Sequence, residues 1–175
     1  MYRFWVYLHI AGVFGFLLAH GVSTFVAFRV RREREVDRIR ALVELSSSTL
    51  GVFYVSLIAL LTGGVVAGFV GHWWGDGWIW AAIGTLLAIM VAMYAIATPW
   101  LERVRLSVGV QRFDPAKLKP RQRAKLEAKG RLGSGVPGTP QEIAAAVSSS
   151  RPFVLLVVGG GGLLAILWLM VFKPF

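Results

Sequence analysis

The sequence has no cysteine and few charged residues, and both shortages exclude classes of protein. The absence of cysteine from all 175 residues excludes disulfide frameworks, thiolate metal sites, iron–sulfur clusters and catalytic thiols. Charged residues make up only 16% of the chain, whereas soluble domains usually carry about a quarter. The charges are also clustered, and they leave long stretches with none. This pattern is typical of an integral membrane protein.

Four uncharged stretches are each long enough to cross a membrane as a helix, since about 20 apolar residues cover roughly 30 Å of hydrocarbon. Lipid offers no hydrogen-bond partner to an open strand or loop, so each stretch is expected to be α-helical. The sequence therefore predicts an all-α, polytopic four-helix bundle in which 1–175 form a single transmembrane domain. The predicted spans are about 4–28, 50–71, 78–100 and 152–172, joined by basic connections at 29–49 and 101–151.

Lysine and arginine are distributed very unequally between the two ends of the spans. Seventeen of them lie in the two long connections, and only Arg3 and Lys173 lie at the other end. Basic residues favour the cytoplasmic side, so both connections are predicted to be cytoplasmic and both termini to lie on the outer side. We expect a multi-pass protein of the bacterial inner membrane whose connections contact anionic lipid headgroups. Nucleic acid is not an expected partner, because Phe113 is the only aromatic residue in the 101–151 connection.

The two connections contain helix signals of their own. Residues 29–44 mix acidic and basic side chains, which favours a solvated helix that continues a neighbouring span. A short basic helix is predicted at Arg121–Lys129. The sequence from Thr139 to Glu142 fits a capping box with proline in the first turn, which predicts a helix over Pro140–Ser148. The 101–151 connection is then either a docking site for a partner or for lipid, or a solvated basic linker.

Small residues recur at about every fourth position along three of the spans. Such stripes let membrane helices approach closely, which predicts a tight bundle, with a flat cofactor or a neighbouring subunit as alternative occupants. Span four contains four consecutive glycines at 159–162, more than packing requires, and this run predicts a kink, a hinge or a close backbone contact. The stripes are Ala11, Gly15 and Ala19; Ala59, Gly63, Ala67 and Gly71; and Gly84, Ala88 and Ala92.

The three histidines are the candidate ligand residues, because an imidazole inside a membrane is costly unless it is paired or ligated. His9 and His20 are eleven residues apart on one face of span one, about 16 Å along its axis, so they cannot bind the same small ion. His9 together with His72 or His20 is a candidate pair of haem b ligands. His9, His72 and Asp76 are candidate metal ligands, with Asp76 either orienting His72 or binding the metal. Alternatively, the imidazoles hydrogen-bond to neighbouring backbone or hydroxyl groups.

The segment Tyr7–Val13 resembles the opening of a family of uncharacterised bacterial four-helix integral membrane proteins, which is distantly similar to the copper-resistance D group. Those proteins begin with a span that carries a Leu-His pair followed by small residues, and Leu8 and His9 match that pair. The four-span plan with a basic first connection is also similar. The resemblance implies a metal- or haem-linked membrane role in which His9 is the transferable position. The copper group's larger number of spans and its methionine-rich tendency are missing, since the chain has only four methionines.

Together, these features favour a small non-catalytic subunit or scaffold of a larger membrane assembly, which associates with other subunits or with itself. The first alternative is a haem b-binding electron-transfer module. A metal or small-solute transporter is less favoured, because no carboxylate falls within the four predicted spans. Catalysis is not favoured either, because the sequence contains no nucleophile elbow, zinc-protease helix or phosphate-binding glycine loop.

Overall fold

The computed structural model describes residues 1–111, 118–129, 132, 135–149 and 151–175. Of these described residues, 84% are helical and none is in a strand, which confirms the all-α prediction. Each predicted span corresponds to one of four helical segments that are long and apolar enough to cross a membrane, and only the second, 50–71, extends past its segment, by one residue. These segments are Tyr2–Arg32, Val36–Val70, Gly77–Ser107 and Pro140–Phe172.

Two short irregular turns accompany these segments. A 3-10 turn at Trp73–Gly75 joins the second segment to the third, and a π-helical turn at Val157–Gly161 divides the last one. The helices are α1 (Tyr2–Arg32), α2 (Val36–Ser48), α3 (Leu50–Val70), α4 (Gly77–Ser107), α5 (Pro120–Ala128), α6 (Pro140–Ser148), α7 (Pro152–Leu156) and α8 (Gly162–Phe172). The end of the bundle that carries the two long connections is called the connection end, and the opposite end, with Trp73–Gly75, is called the turn end.

The best-buried apolar cluster lies at the connection end. It joins α1, α2, α4, α6 and α7, and it explains why α1 and α4 continue past their predicted ends into charged sequence. α2 exposes its charged face but buries Ile39 and Val43, so it is not the fully solvated helix expected there. The cluster consists of Val26, Ala27, Val30, Ile39, Val43, Trp100, Val104, Val108, Ile143, Val147 and Leu155.

The helix predicted within the second connection is α6, and its first turn contains the expected capping box. The Thr139 hydroxyl accepts the Glu142 N–H at 3.3 Å, and the Glu142 carboxylate accepts the Thr139 N–H at 2.8 Å. One helical turn apart, Ile143 and Val147 are buried against the connection-end cluster. The basic helix α5 begins at Pro120, one residue earlier than expected, and it exposes its charges. This connection is therefore packed in part rather than wholly solvated.

The break between α1 and α2 is stabilised by a local carboxylate. Glu33 Oε1 accepts the backbone N–H of Arg34 at 2.9 Å and that of Glu35 at 3.3 Å. These two backbone hydrogen bonds, that of Arg34 first, lower the pKa of Glu33 below its ordinary value, because they favour the ionised form. The carboxylate thus replaces helical partners where the chain turns from α1 into α2.

α1 and α3 pack against each other more extensively than any other pair of helices. A Cβ added at Gly12 would lie 2.8 Å from both Leu60 Cα and Ser56 O. A Cβ added at Gly63 would lie 2.5 Å from the backbone nitrogen of His9. The two backbones therefore approach as closely as the small-residue stripes predict, although Gly12, rather than the exposed Ala11, occupies the contact.

Both ends of the chain meet at the turn end. The rings of Tyr2 and Trp73 lie 5.8 Å apart, edge to face, and Lys173 Nζ lies 4.5 Å from the centre of the Trp73 ring. The backbone N–H of Trp78 donates to the carbonyl of Phe175 at 3.1 Å. The two termini, the short turn and its tryptophans therefore share one end of the bundle, opposite the basic connections.

Candidate functional site

His9 lies in the tight interface between α1 and α3. Its Nδ1 is 2.7 Å from the backbone carbonyl oxygen of Leu60. Because a carbonyl can only accept, Nδ1 carries the proton of this hydrogen bond and donates it. Gly64 makes room for this arrangement, since a Cβ there would lie 2.8 Å from His9 Nδ1. The alternative that His9 hydrogen-bonds to neighbouring backbone is thus the arrangement observed.

His20 faces the π-helical turn of the last segment. Its ring stacks on Phe16, with centroids 6.5 Å apart and planes 5° from parallel, and it fills the place where Gly159 has no side chain. Nε2 of His20 is buried and has no hydrogen-bond partner in the described part of the chain. Buried polar atoms are rarely left unpaired. His20 therefore differs from His9, because its packing does not account for its buried nitrogen.

The glycine run explains how α1 and α4 both come close to the last segment. Gly159 in the π-helical turn contacts His20, and Gly162 at the start of α8 leaves space for the Ile89 side chain of α4. The run thus provides both the irregularity and the close contacts that the sequence predicts. Single π-helical turns are frequent at functional sites, where they reorient a short stretch of backbone. His20 thus packs directly against a π-helical turn.

His72 and Asp76 lie at the turn end, and they do not form the expected second-shell pair. His72 is exposed and has a left-handed backbone, with φ 58° and ψ 32°. The Asp76 carboxylate accepts the indole N–H of Trp78 at 3.2 Å. No hydrogen bond joins Asp76 to the His72 side chain in the described structure. Asp76 therefore orients a tryptophan of the turn end rather than the histidine.

The three histidines occupy three different levels of the bundle. His9 and His20 are separated by about 16 Å along α1. The His9 ring contacts Gly64, eight residues before His72, which corresponds to roughly 10 Å along α3 and the turn. Among the described residues, no three His, Cys, Asp or Glu side chains converge as a metal site requires. A haem or metal at any one histidine would need a further ligand from elsewhere, and ligation by His9, His20, His72 or Asp76 stays a prediction.

The burial of two charged residues was not predicted from the sequence. Arg105 and Glu102 are only 6% and 8% exposed, although both lie in the connection that was expected to be solvated. An Arg105 amino group contacts the Ser47 hydroxyl, which ties α4 to the end of α2. The spacing of Trp100, Val104 and Val108, each four residues from the next, was the available signal that α4 continues as an amphipathic helix.

No protein-family model matches the chain, and neither a curated protein nor a solved structure matches it. The resemblance of Tyr7–Val13 to the family related to the copper-resistance D group therefore stays an expectation.

Proposed function

We propose that the protein is a small, non-catalytic subunit of a membrane-embedded assembly in the bacterial inner membrane. The four long apolar segments support the membrane location. The concentration of lysine and arginine at the connection end supports an orientation with both connections in the cytoplasm and both termini outside. The tryptophans at the turn end suit the opposite interface, because amphipathic rings settle there.

The main support for a subunit role is an exposed stripe of small residues on the outer face of α4. Gly84, Ala88 and Ala95 are exposed, and a Cβ added at Gly84 would meet nothing within 4 Å. At 100° per residue these three positions lie within an arc of about 40°. The exposed side chains of Leu87 and Val91 stand beside them and form one wall of a groove. α4 thus presents an exposed stripe of small residues that suits close packing by a second helix.

Elsewhere in the molecule, stripes of small residues are already covered by a neighbouring helix of the same chain. On α1 and α3, Gly12 and Gly63 are already in backbone contact with the opposite helix. Gly84-xxx-Ala88 on α4 faces away from the rest of the described chain. Helices in a membrane associate through close packing of this kind rather than through a strong hydrophobic driving force. The groove on α4 is therefore suited to a transmembrane helix of another subunit or of a second copy.

Native mass spectrometry of the protein extracted from its own membranes in mild detergent tests this proposal. We expect the wild type to carry a stoichiometric partner polypeptide, and Gly84→Leu to release it by filling the groove. Gly21→Leu is the matched control, because Gly21 on α1 is also exposed with nothing within 4 Å of an added Cβ. A monomeric wild type, or equal release by both variants, would contradict the proposal.

A further inference from the structure

We propose that a cleft at the connection end, between α1, α4 and the start of α7, binds the phosphate headgroup of an anionic phospholipid. The cleft has a volume of ≈ 620 Å³. Its charged lining comes from three separate parts of the chain: Arg31 near the end of α1, Arg103 on α4 and Arg151 just before α7. Three cations brought together by the fold, rather than by adjacency in sequence, form an anion site.

The charge balance of the cleft favours an anion with phosphate geometry. None of the described side chains that line it is a carboxylate. Three arginines around one cleft make the electrostatic potential inside it positive, which favours an anionic ligand. Guanidinium groups present planar, paired donors that match phosphate oxygens. Arg103 donates its Nε to the carbonyl of Pro99 at 3.2 Å, which positions the side chain and leaves its terminal nitrogens for a ligand.

The apolar part of the lining favours a lipid over a free phosphate ion. Ile96, Trp100 and Leu155 line the same cleft as the arginines. Beside Leu155, Phe153 and Leu156 are exposed along the last segment, and they provide an apolar path for acyl chains. Basic pockets between transmembrane helices on the cytoplasmic side are established sites for anionic lipid headgroups. The cleft combines both parts of such a site, a cationic recess and an apolar exit.

Trp100, which lines the cleft, also carries a polar group without a partner among the described residues. Its ring is 6% exposed, and its indole N–H has no hydrogen-bond partner in the described ranges of the chain. A buried tryptophan usually finds an acceptor for that N–H. A phosphate or ester oxygen of a lipid would supply one.

This inference depends on the membrane arrangement proposed above, but not on the subunit role. A chain that proves to be a lone monomer can still bind lipid in this cleft, so the two proposals fail separately. The first experiment is a lipid titration of the purified full-length protein in detergent, with retained lipid measured by native mass spectrometry. The probes are phosphatidylglycerol, phosphatidylcholine and inorganic phosphate.

We expect phosphatidylglycerol to bind more tightly than phosphatidylcholine, and Arg103→Gln with Arg151→Gln to weaken it by about 25-fold, at about fivefold for each arginine. The matched control is Arg121→Gln with Lys125→Gln, which removes the same charge from the exposed helix α5 and should change binding less than about twofold. Arg103 and Arg151 are both exposed, so their replacement by glutamine should leave the fold intact. Circular dichroism checks this, and the single variant Arg151→Gln repeats the test with a smaller change.

Three results would overturn the inference. Equal binding of phosphatidylglycerol and phosphatidylcholine would remove the selectivity for a net anionic headgroup. Equal weakening by the cleft variant and the α5 variant would assign the effect to diffuse basic charge. Full displacement of the lipid by millimolar inorganic phosphate would identify the cleft as a site for a free ion.

Discussion

The backbone contact between α1 and α3 makes a specific prediction for Gly12→Ala. The added Cβ would lie 2.8 Å from both Leu60 Cα and Ser56 O, which is about 1 Å short of ordinary carbon contact distances. Both contacted atoms belong to the backbone of α3, so no side chain can rotate away. The two helices must therefore separate, or α1 must shift along α3.

The size of the effect follows from comparison with Gly21→Ala on the same helix. Both changes replace a glycine inside α1, so each gains about 1 kcal/mol of helix propensity. Only Gly12→Ala also overpacks an interface, which typically costs 1–3 kcal/mol. The propensity gains cancel in the comparison. We expect Gly12→Ala to be less stable than Gly21→Ala by about 1–3 kcal/mol.

The assay is unfolding in mixed micelles with an increasing fraction of dodecyl sulfate, followed by tryptophan fluorescence. Gly21→Ala should unfold at the same or a higher dodecyl sulfate fraction than the wild type, and Gly12→Ala at a clearly lower fraction than Gly21→Ala. Equal midpoints for the two variants would refute the reasoning, because they would show that α1 and α3 are not in backbone contact at Gly12.

Three further predictions concern other parts of the molecule. Because the pKa of Glu33 is lowered, its carboxylate contributes its full stabilisation above the ordinary glutamate pKa, and this contribution is lost as the pH falls through the lowered pKa. Glu33→Gln should remove this acid dependence of stability. An NMR titration that gives Glu33 the ordinary glutamate pKa would argue against the prediction. Lys173→Met should lower the free energy of unfolding by about 0.5–1 kcal/mol, because it removes the cation–π contact with Trp73. An unfolding midpoint equal to that of the wild type would exclude that contact. The haem hypothesis expects redox-sensitive Soret and α bands that are lost in His9→Ala. A flat oxidised-minus-reduced spectrum from protein expressed with ample haem would rule it out.

The apolar helices were predictable because their signals are local. Length and hydropathy alone place the four segments, since a membrane requires about 20 apolar residues in each. The capping box at Thr139 likewise depends on residues only three positions apart, and α6 begins where that spacing predicts. Four consecutive glycines predict an irregular backbone wherever they occur, and the last segment becomes π-helical there.

The remaining features depend on which helices meet, and that information is not local. Ile39 and Val43 lie among charged residues, and the presence of α1 and α4 beside α2 makes that face of the helix a buried one. Arg105 is buried because Ser47 stands opposite it. Likewise, the sequence places His20 on α1 but cannot show that Gly159 lies against it. Contacts between residues so far apart in the chain are set by helix packing rather than by spacing.

The connection-end cluster has a consequence for the order in which the protein is made. Of its eleven buried residues, Val26, Ala27 and Val30 come from the first helix, whereas Ile143, Val147 and Leu155 come from the last third of the chain. A nascent chain that has inserted its first three membrane segments, up to the end of α4, still lacks these last three side chains. The cluster therefore closes only after residue 155 has been synthesised, and until then the bundle is held mainly by the contact between α1 and α3. The connection-end cluster is thus completed only when the final segment has been synthesised.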